Sequence, residues 1–188
     1  MQTKEILVVL TDKWADWEAA FALPALNDPP NYVVKTISAD KTPKVSAGGM
    51  RTEVDYTTQD YANFNNTAMV IMPGGYTWSE SPHEEIAAFV KKAKNANIPI
   101  AGICGGAVFL GRLGLLDNIK HTGDDLESFQ EAGGYSGEAH LTEDPVVTDG
   151  GIITAHANAP VEFAYAIFKL LELMPEEDLE GFLGYFKS

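Results

Sequence analysis

The sequence predicts an α/β fold with a mainly parallel sheet covered by helices on both faces. Three observations predict it. Strand-like and helix-like segments alternate from one end of the chain to the other. Several strand candidates, such as Ile6-Leu7-Val8-Val9-Leu10 and Ala68-Met69-Val70-Ile71-Met72, are continuous apolar runs. Such runs suit strands buried on both faces. Each long helical segment carries an apolar stripe, as in Ile86, Phe89, Val90 and Ala93.

The elements follow in order. After the first strand, Trp17, Phe21 and Ala25 fall at helical spacing over Asp16 to Leu26, and Asn27-Asp28-Pro29-Pro30 stops that helix. Tyr32 to Ile37 reads as the second strand. Lys44 to Asp55 holds Gly48-Gly49 between two extended pieces, which predicts a hairpin. The strand Ala68 to Met72 ends in Pro73-Gly74-Gly75. Pro82 to Asn97 is a helix, with Ser81 as its cap and Glu84 and Glu85 in its first turn. Ile98 to Ile103 is a strand, and helical character returns over Ala107 to Leu113. Asp124 to Ala132 is a short helix. Val146–Thr148 and Ile152–Thr154 form a hairpin around Asp149-Gly150-Gly151. Pro160 to Met174 is a strongly amphipathic helix, and Glu176 to Phe186 a weaker one. With no repeat or linker composition, one domain over 1–188 is expected.

Composition bounds the function. The 188 residues include 13 basic and 27 acidic ones, for a net charge of −14. That charge repels nucleic acid and anionic membranes, so neither is expected as a partner. A single cysteine excludes an intrachain disulfide and a thiolate-rich metal centre. Glu138-Ala139-His140 is an incomplete metal set. No phosphate-cradling glycine motif is present, so no nucleotide and no cofactor is expected. The first apolar run is too short for a signal segment, and the expected location is the cytoplasm.

The segment with most chemical content is Gly102-Ile103-Cys104-Gly105-Gly106. A buried strand ends, one polar residue appears, and small residues open a helix. This has the mechanics of a nucleophile elbow, with sulfur in the place of the nucleophile. Just ahead of a helix N-terminus, Cys104 is expected to have a lowered pKa, and nearby N–H groups to hold an oxyanion. A buried, inert cysteine is the competing reading.

Together, Ala15-Asp16-Trp17-Glu18, Pro73-Gly74-Gly75, Ile103-Cys104-Gly105-Gly106 and Ala159-Pro160-Val161-Glu162-Phe163-Ala164 give the chain an ordered resemblance to the ThiJ/PfpI superfamily, which is similar to class I glutamine amidotransferases. The resemblance implies a flavodoxin-like three-layer α/β/α sandwich with the site at the carboxyl ends of the strands. It implies Cys104 as nucleophile and Glu18 as an acid hydrogen-bonded to its sulfur. It implies Gly75 and Gly105 as oxyanion donors, a small-molecule substrate and a homodimer. Two departures stand out. Protease-like members carry histidine directly after the cysteine, where this chain has Gly105. Glutamine amidotransferases carry a glutamate two residues after a late histidine, and His156-Ala157-Asn158 lacks it. Peptidase and glutaminase activities are therefore not expected.

His121 is the first candidate for the proton-transferring group, followed by His156 and His140, with His83 solvent-facing. Two functions follow. One is a cysteine-dependent hydrolase, lyase or amidotransferase-like enzyme acting on a small electrophile. The other is a non-enzymatic redox sensor or protective protein using an oxidisable cysteine. A third reading is a family member with no remaining activity.

Overall fold

The computed structural model describes residues 3–28 and 30–187. Seven strands form one sheet in the order β5-β2-β1-β6-β7-β9-β8. They are β1 (Lys4–Val9), β2 (Tyr32–Ser38), β5 (Tyr56–Thr57), β6 (Thr67–Met72), β7 (Ile100–Ile103), β8 (Val146–Asp149) and β9 (Ile152–Ala155). All pair in parallel except β8, which runs antiparallel to β9 as the edge strand. A separate hairpin pairs β3 (Lys44–Val45) with β4 (Arg51–Thr52).

Strand alternation divides the apolar side chains between two cores. Ile6, Val8, Met69, Ile71, Ala101, Ile103, Ile153 and Ala155 face one cluster. Leu7, Val9, Val70, Met72, Ile100 and Ile152 face the other. Helices α1 (Asp16–Ala19), α2 (Leu23–Leu26), α6 (Pro160–Leu170) and α7 (Glu176–Lys187) cover the first face. Helices α3 (Glu84–Asn95), α4 (Gly105–Arg112) and α5 (Leu126–Ala132) cover the second. The result is the expected three-layer sandwich.

Three local expectations change. The single helix over Asp16 to Leu26 is two short ones, because Pro24 lies in the first turn of α2. A proline there has no N–H for the carbonyl four residues back, and its ring crowds that carbonyl. Pro29, part of the expected stop, lies outside the described residues. Ser81 does not cap α3. His83 holds the N-cap position instead, in a left-handed conformation (φ 47°) and without a side-chain capping bond, and its Nε2 lies 2.9 Å from Thr77 O. That contact half-buries a side chain expected in solvent.

Strand order sets the position of the site. From β1 the chain moves outward to β2, then returns to the other side of β1 with β6. The loops leaving the carboxyl ends of β1 and β6 diverge there, which opens a crevice in sheets of this kind. The β3–β4 hairpin straps the loop after β1 through Lys13 N–H to Val45 O (2.7 Å) and Ala47 N–H to Trp14 O (2.9 Å).

Candidate active site

Cys104 stands between the end of β7 and the start of α4 with φ 53° and ψ −126°. A non-glycine residue held there stores about 1–3 kcal/mol of backbone strain. Its neighbours force the turn. A Cβ on Gly106 would sit 2.1 Å from Met72 O, and one on Gly102 would lie 2.8 Å from Leu110 Cδ1. Only hydrogen fits at either position, so the helix can fold back directly onto the strand end.

Glu18, on α1, comes to the same point from the first strand. It is 1% exposed, and its Oε2 accepts the Gly74 N–H at 2.6 Å. A Cβ on Gly74 would lie 2.7 Å from Glu18 Oε2 and 2.9 Å from Cys104 Sγ. Acid and sulfur therefore press on the same glycine. Burial pushes the Glu18 carboxyl up to about 7. The Gly74 N–H and the Cys104 thiol oppose that rise, and the charge of Asp124 adds to it.

The thiol departs from its expected direction. Burial, then the charges of Glu18 and Asp124, raise the Cys104 pKa above its ordinary value; the Gly105 N–H acts the other way. The helix N-terminus is present, but desolvation and two carboxylates outweigh it. At neutral pH the resting sulfur is a thiol with proton acceptors beside it.

A cavity of 440 Å³ opens over the sulfur. Gly75 and Gly105 lie on one side of it, Trp78, Val108 and Phe109 form an apolar wall, and Asp124, Arg112 and Glu131 supply charge. Gly75 has φ 154°, and a Cβ there would lie 2.8 Å from Lys13 O. No partner for its N–H is found among the described residues. A Cβ on Gly105 would lie 2.8 Å from Trp78 Cδ1, while Trp78 Nε1 is fixed to Pro73 O at 3.0 Å. The indole thus fills the space that a side chain after the cysteine would need.

Asp124 is the site residue that sequence reasoning missed. It lines the same cavity as Cys104, and its charge raises the thiol's pKa. Its Oδ1 accepts the Ala157 N–H at 2.6 Å and lies 4.0 Å from His156 Nδ1. His156 Nε2 is buried, with no partner among the described residues. The available signal was the pair Asp124-Asp125 ahead of α5. Asp125 caps that helix by accepting the Ser128 N–H at 2.7 Å, which leaves Asp124 free for another purpose.

His121 is placed otherwise than expected. It is 0% exposed, with Nδ1 2.8 Å from Ile119 O and Nε2 2.7 Å from Tyr135 OH. Its ring packs edge-on against Phe129 and Tyr135 and does not line the Cys104 cavity. Both nitrogens are engaged, and burial lowers its pKa. His140 is exposed at the end of a 3₁₀ turn, Glu138–His140. Among the described residues, no three His, Cys, Asp or Glu side chains are grouped to hold a metal. No helix there is long and apolar enough to cross a membrane.

Comparison with known proteins gives the family. Residues 4–170 match the DJ-1/PfpI family, and the chain belongs to that family. It is 37% identical over 179 residues to the uncharacterised protease YdeA of Bacillus subtilis strain 168, covering 94% of this chain and 88% of that one. It is 30% identical over 196 residues to the uncharacterised protease YoaZ of the same organism, covering 100% and 93%. A thiJ/pfpI family protein from Bacillus anthracis superposes with a TM-score of 0.92 at 30% identity, covering 100% of this chain and 92% of its own. A DJ-1 superfamily protein from Agrobacterium tumefaciens gives 0.89 at 31% identity, covering 98% and 100%.

Proposed function

We propose that this chain is a cysteine-dependent acyl-transfer enzyme, a hydrolase of small carbonyl electrophiles, with Cys104 as nucleophile. The observation that carries the reading is convergence. One small cavity holds the elbow sulfur, two glycines able to offer N–H groups, and the Asp124 carboxylate. The names of the two Bacillus subtilis relatives support the hydrolase class. A peptide substrate is disfavoured by Gly105, and by Trp78 in the space where a histidine would stand.

The chemistry proceeds in balanced steps. Asp124 takes the thiol proton as the sulfur pair forms the S–C bond to the carbonyl carbon. The C=O π pair moves to oxygen, where the N–H groups of Gly75 and Gly105 receive the negative charge. Collapse breaks the bond to the leaving group, which departs with the proton from Asp124. Water then attacks the thioester carbon while Asp124 accepts its proton; collapse breaks the C–S bond, and the sulfur leaves with the proton returned from Asp124, giving the thiol and a carboxylic acid. The Ala157 N–H holds Asp124 Oδ1 at 2.6 Å, with His156 Nδ1 4.0 Å away. Glu18, whose pKa is raised to about 7, donates to the anionic sulfur in its protonated form.

The enzyme reading is preferred over a peroxide sensor because the cavity sets two glycine N–H groups and the Asp124 carboxylate beside the sulfur, a set that oxidation of the sulfur does not need. The homodimer implied by the resemblance belongs to the same proposal. Val45 (42% exposed) and Tyr76 (66%) share a depression beside the site, a surface suited to a second copy.

The test is turnover of a panel containing an activated ester, a small amide, an α-oxoaldehyde and an isonitrile. At least one should be turned over by the wild type and lost in Cys104→Ser. No turnover, or turnover that survives the substitution, contradicts the proposal.

A further inference from the structure

We propose that Arg112 makes the Cys104 cavity selective for substrates that carry a carboxylate beside the reacting carbon. The inference rests on the reading of Cys104 as nucleophile and adds the substrate class.

Arg112 ends α4 and lines the same cavity as Cys104. Its position is fixed by neutral groups. Nη1 donates to Trp78 O (3.5 Å) and Ser81 O (3.3 Å), and Nη2 donates to Pro82 O. The guanidinium carbon lies 5.0 Å from the Phe109 ring centroid. None of the ion pairs among the described residues involves Arg112. In a chain with 27 acidic residues against 13 basic ones, this guanidinium is held in place without a carboxylate.

Three of its five N–H groups serve the loop carbonyls. The Nε–H and the second Nη2–H remain. An Nε–H and the Nη2–H beside it are the pair of guanidinium donors that takes the two oxygens of a carboxylate side-on. The other charged residues lining the cavity, Asp124 and Glu131, are both acidic. Among the charged side chains of the cavity, Arg112 alone attracts an anionic ligand. A substrate with its carboxylate on that fork is oriented with its remaining end toward the sulfur, along a wall formed by Phe109, Val108 and Trp78.

The test uses two alkylating reagents of the same size, iodoacetate and iodoacetamide, on the single cysteine. Both need the same thiolate, so the ratio of their rates reports only the carboxylate. The ratio should exceed that of N-acetylcysteine about tenfold. Arg112→Gln should return it to the N-acetylcysteine value, and Arg112→Lys should keep most of the excess. A wild-type ratio at or below the N-acetylcysteine value, or an unchanged ratio in Arg112→Gln, overturns the inference. Brisk iodoacetamide labelling without iodoacetate preference sinks this inference alone. Failure of both reagents sinks the nucleophile reading. Carboxylate selectivity is then decided by amide shifts of Gly105 and Val108 in Cys104→Ser. Saturable shifts with pyruvate but not pyruvamide, lost in Arg112→Gln, sustain it; equal or absent shifts overturn it.

Discussion

Glu18 is a carboxyl group buried against a thiol, and its titration reaches both stability and chemistry. Its ordinary value is 4.5, and burial moves it to about 7. Between those values the folded chain keeps a proton that the unfolded chain has released. Stability therefore falls as pH rises through that window. It is flat below the window, where both states hold the proton, and flat above it, where both have lost it. The shift corresponds to about 3 kcal/mol. Urea unfolding should show most of that loss between about pH 5 and pH 8, and Glu18→Gln should remove most of the slope. The same substitution takes a negative charge from beside the sulfur. Iodoacetamide labelling of Cys104 near pH 8 should then become about tenfold faster. Asp124→Asn removes the proton acceptor and should lower ester turnover by about a hundredfold, read against an unchanged folded fraction.

The elbow, β7 followed by α4, is an element whose geometry depends on hydrogen at three positions. Gly106→Ala places a methyl 2.1 Å from Met72 O, a backbone atom that cannot swing away. It should cost about 3 kcal/mol or more, seen as a lowered thermal midpoint. Gly105→His meets Trp78 and should also destabilise, with a change in tryptophan emission. This is the scale at which the sequence was most readable. Strand, turn and glycine pattern are local, and they singled out Cys104, whereas Glu18 and Gly75 were singled out by the family resemblance. Asp124, Arg112 and Trp78 were not readable as site residues, because membership of a cavity is fixed by how α4, α5 and the loop after β6 pack. His121 looked eligible from its place after α4. Tertiary packing instead turned its ring between Ile119 O and Tyr135 OH. Pro24 is a local break signal inside an apolar spacing that otherwise reads as one helix, whereas the left-handed His83 at the start of α3 has no local signature.

For the whole molecule, the sandwich brings loops from β1, β6 and β7 to one end, so residues as far apart in sequence as Glu18 and Cys104 meet over Gly74. The alternating strand pattern made that architecture legible, because a sheet buried on both faces needs two separate cores. The net charge of −14 acts over the entire surface. Self-repulsion should be screened by salt, so the thermal midpoint should rise from about 10 mM to about 500 mM sodium chloride. The central claim is that this assembly presents one nucleophile, and pre-steady-state acylation tests it most directly. Mixed with excess p-nitrophenyl acetate, the protein should release a burst of one p-nitrophenolate per chain, with the acetyl group found on Cys104 by mass spectrometry and no burst in Cys104→Ala. A wild-type trace without a burst, or acetyl groups found on lysines instead, would contradict the account.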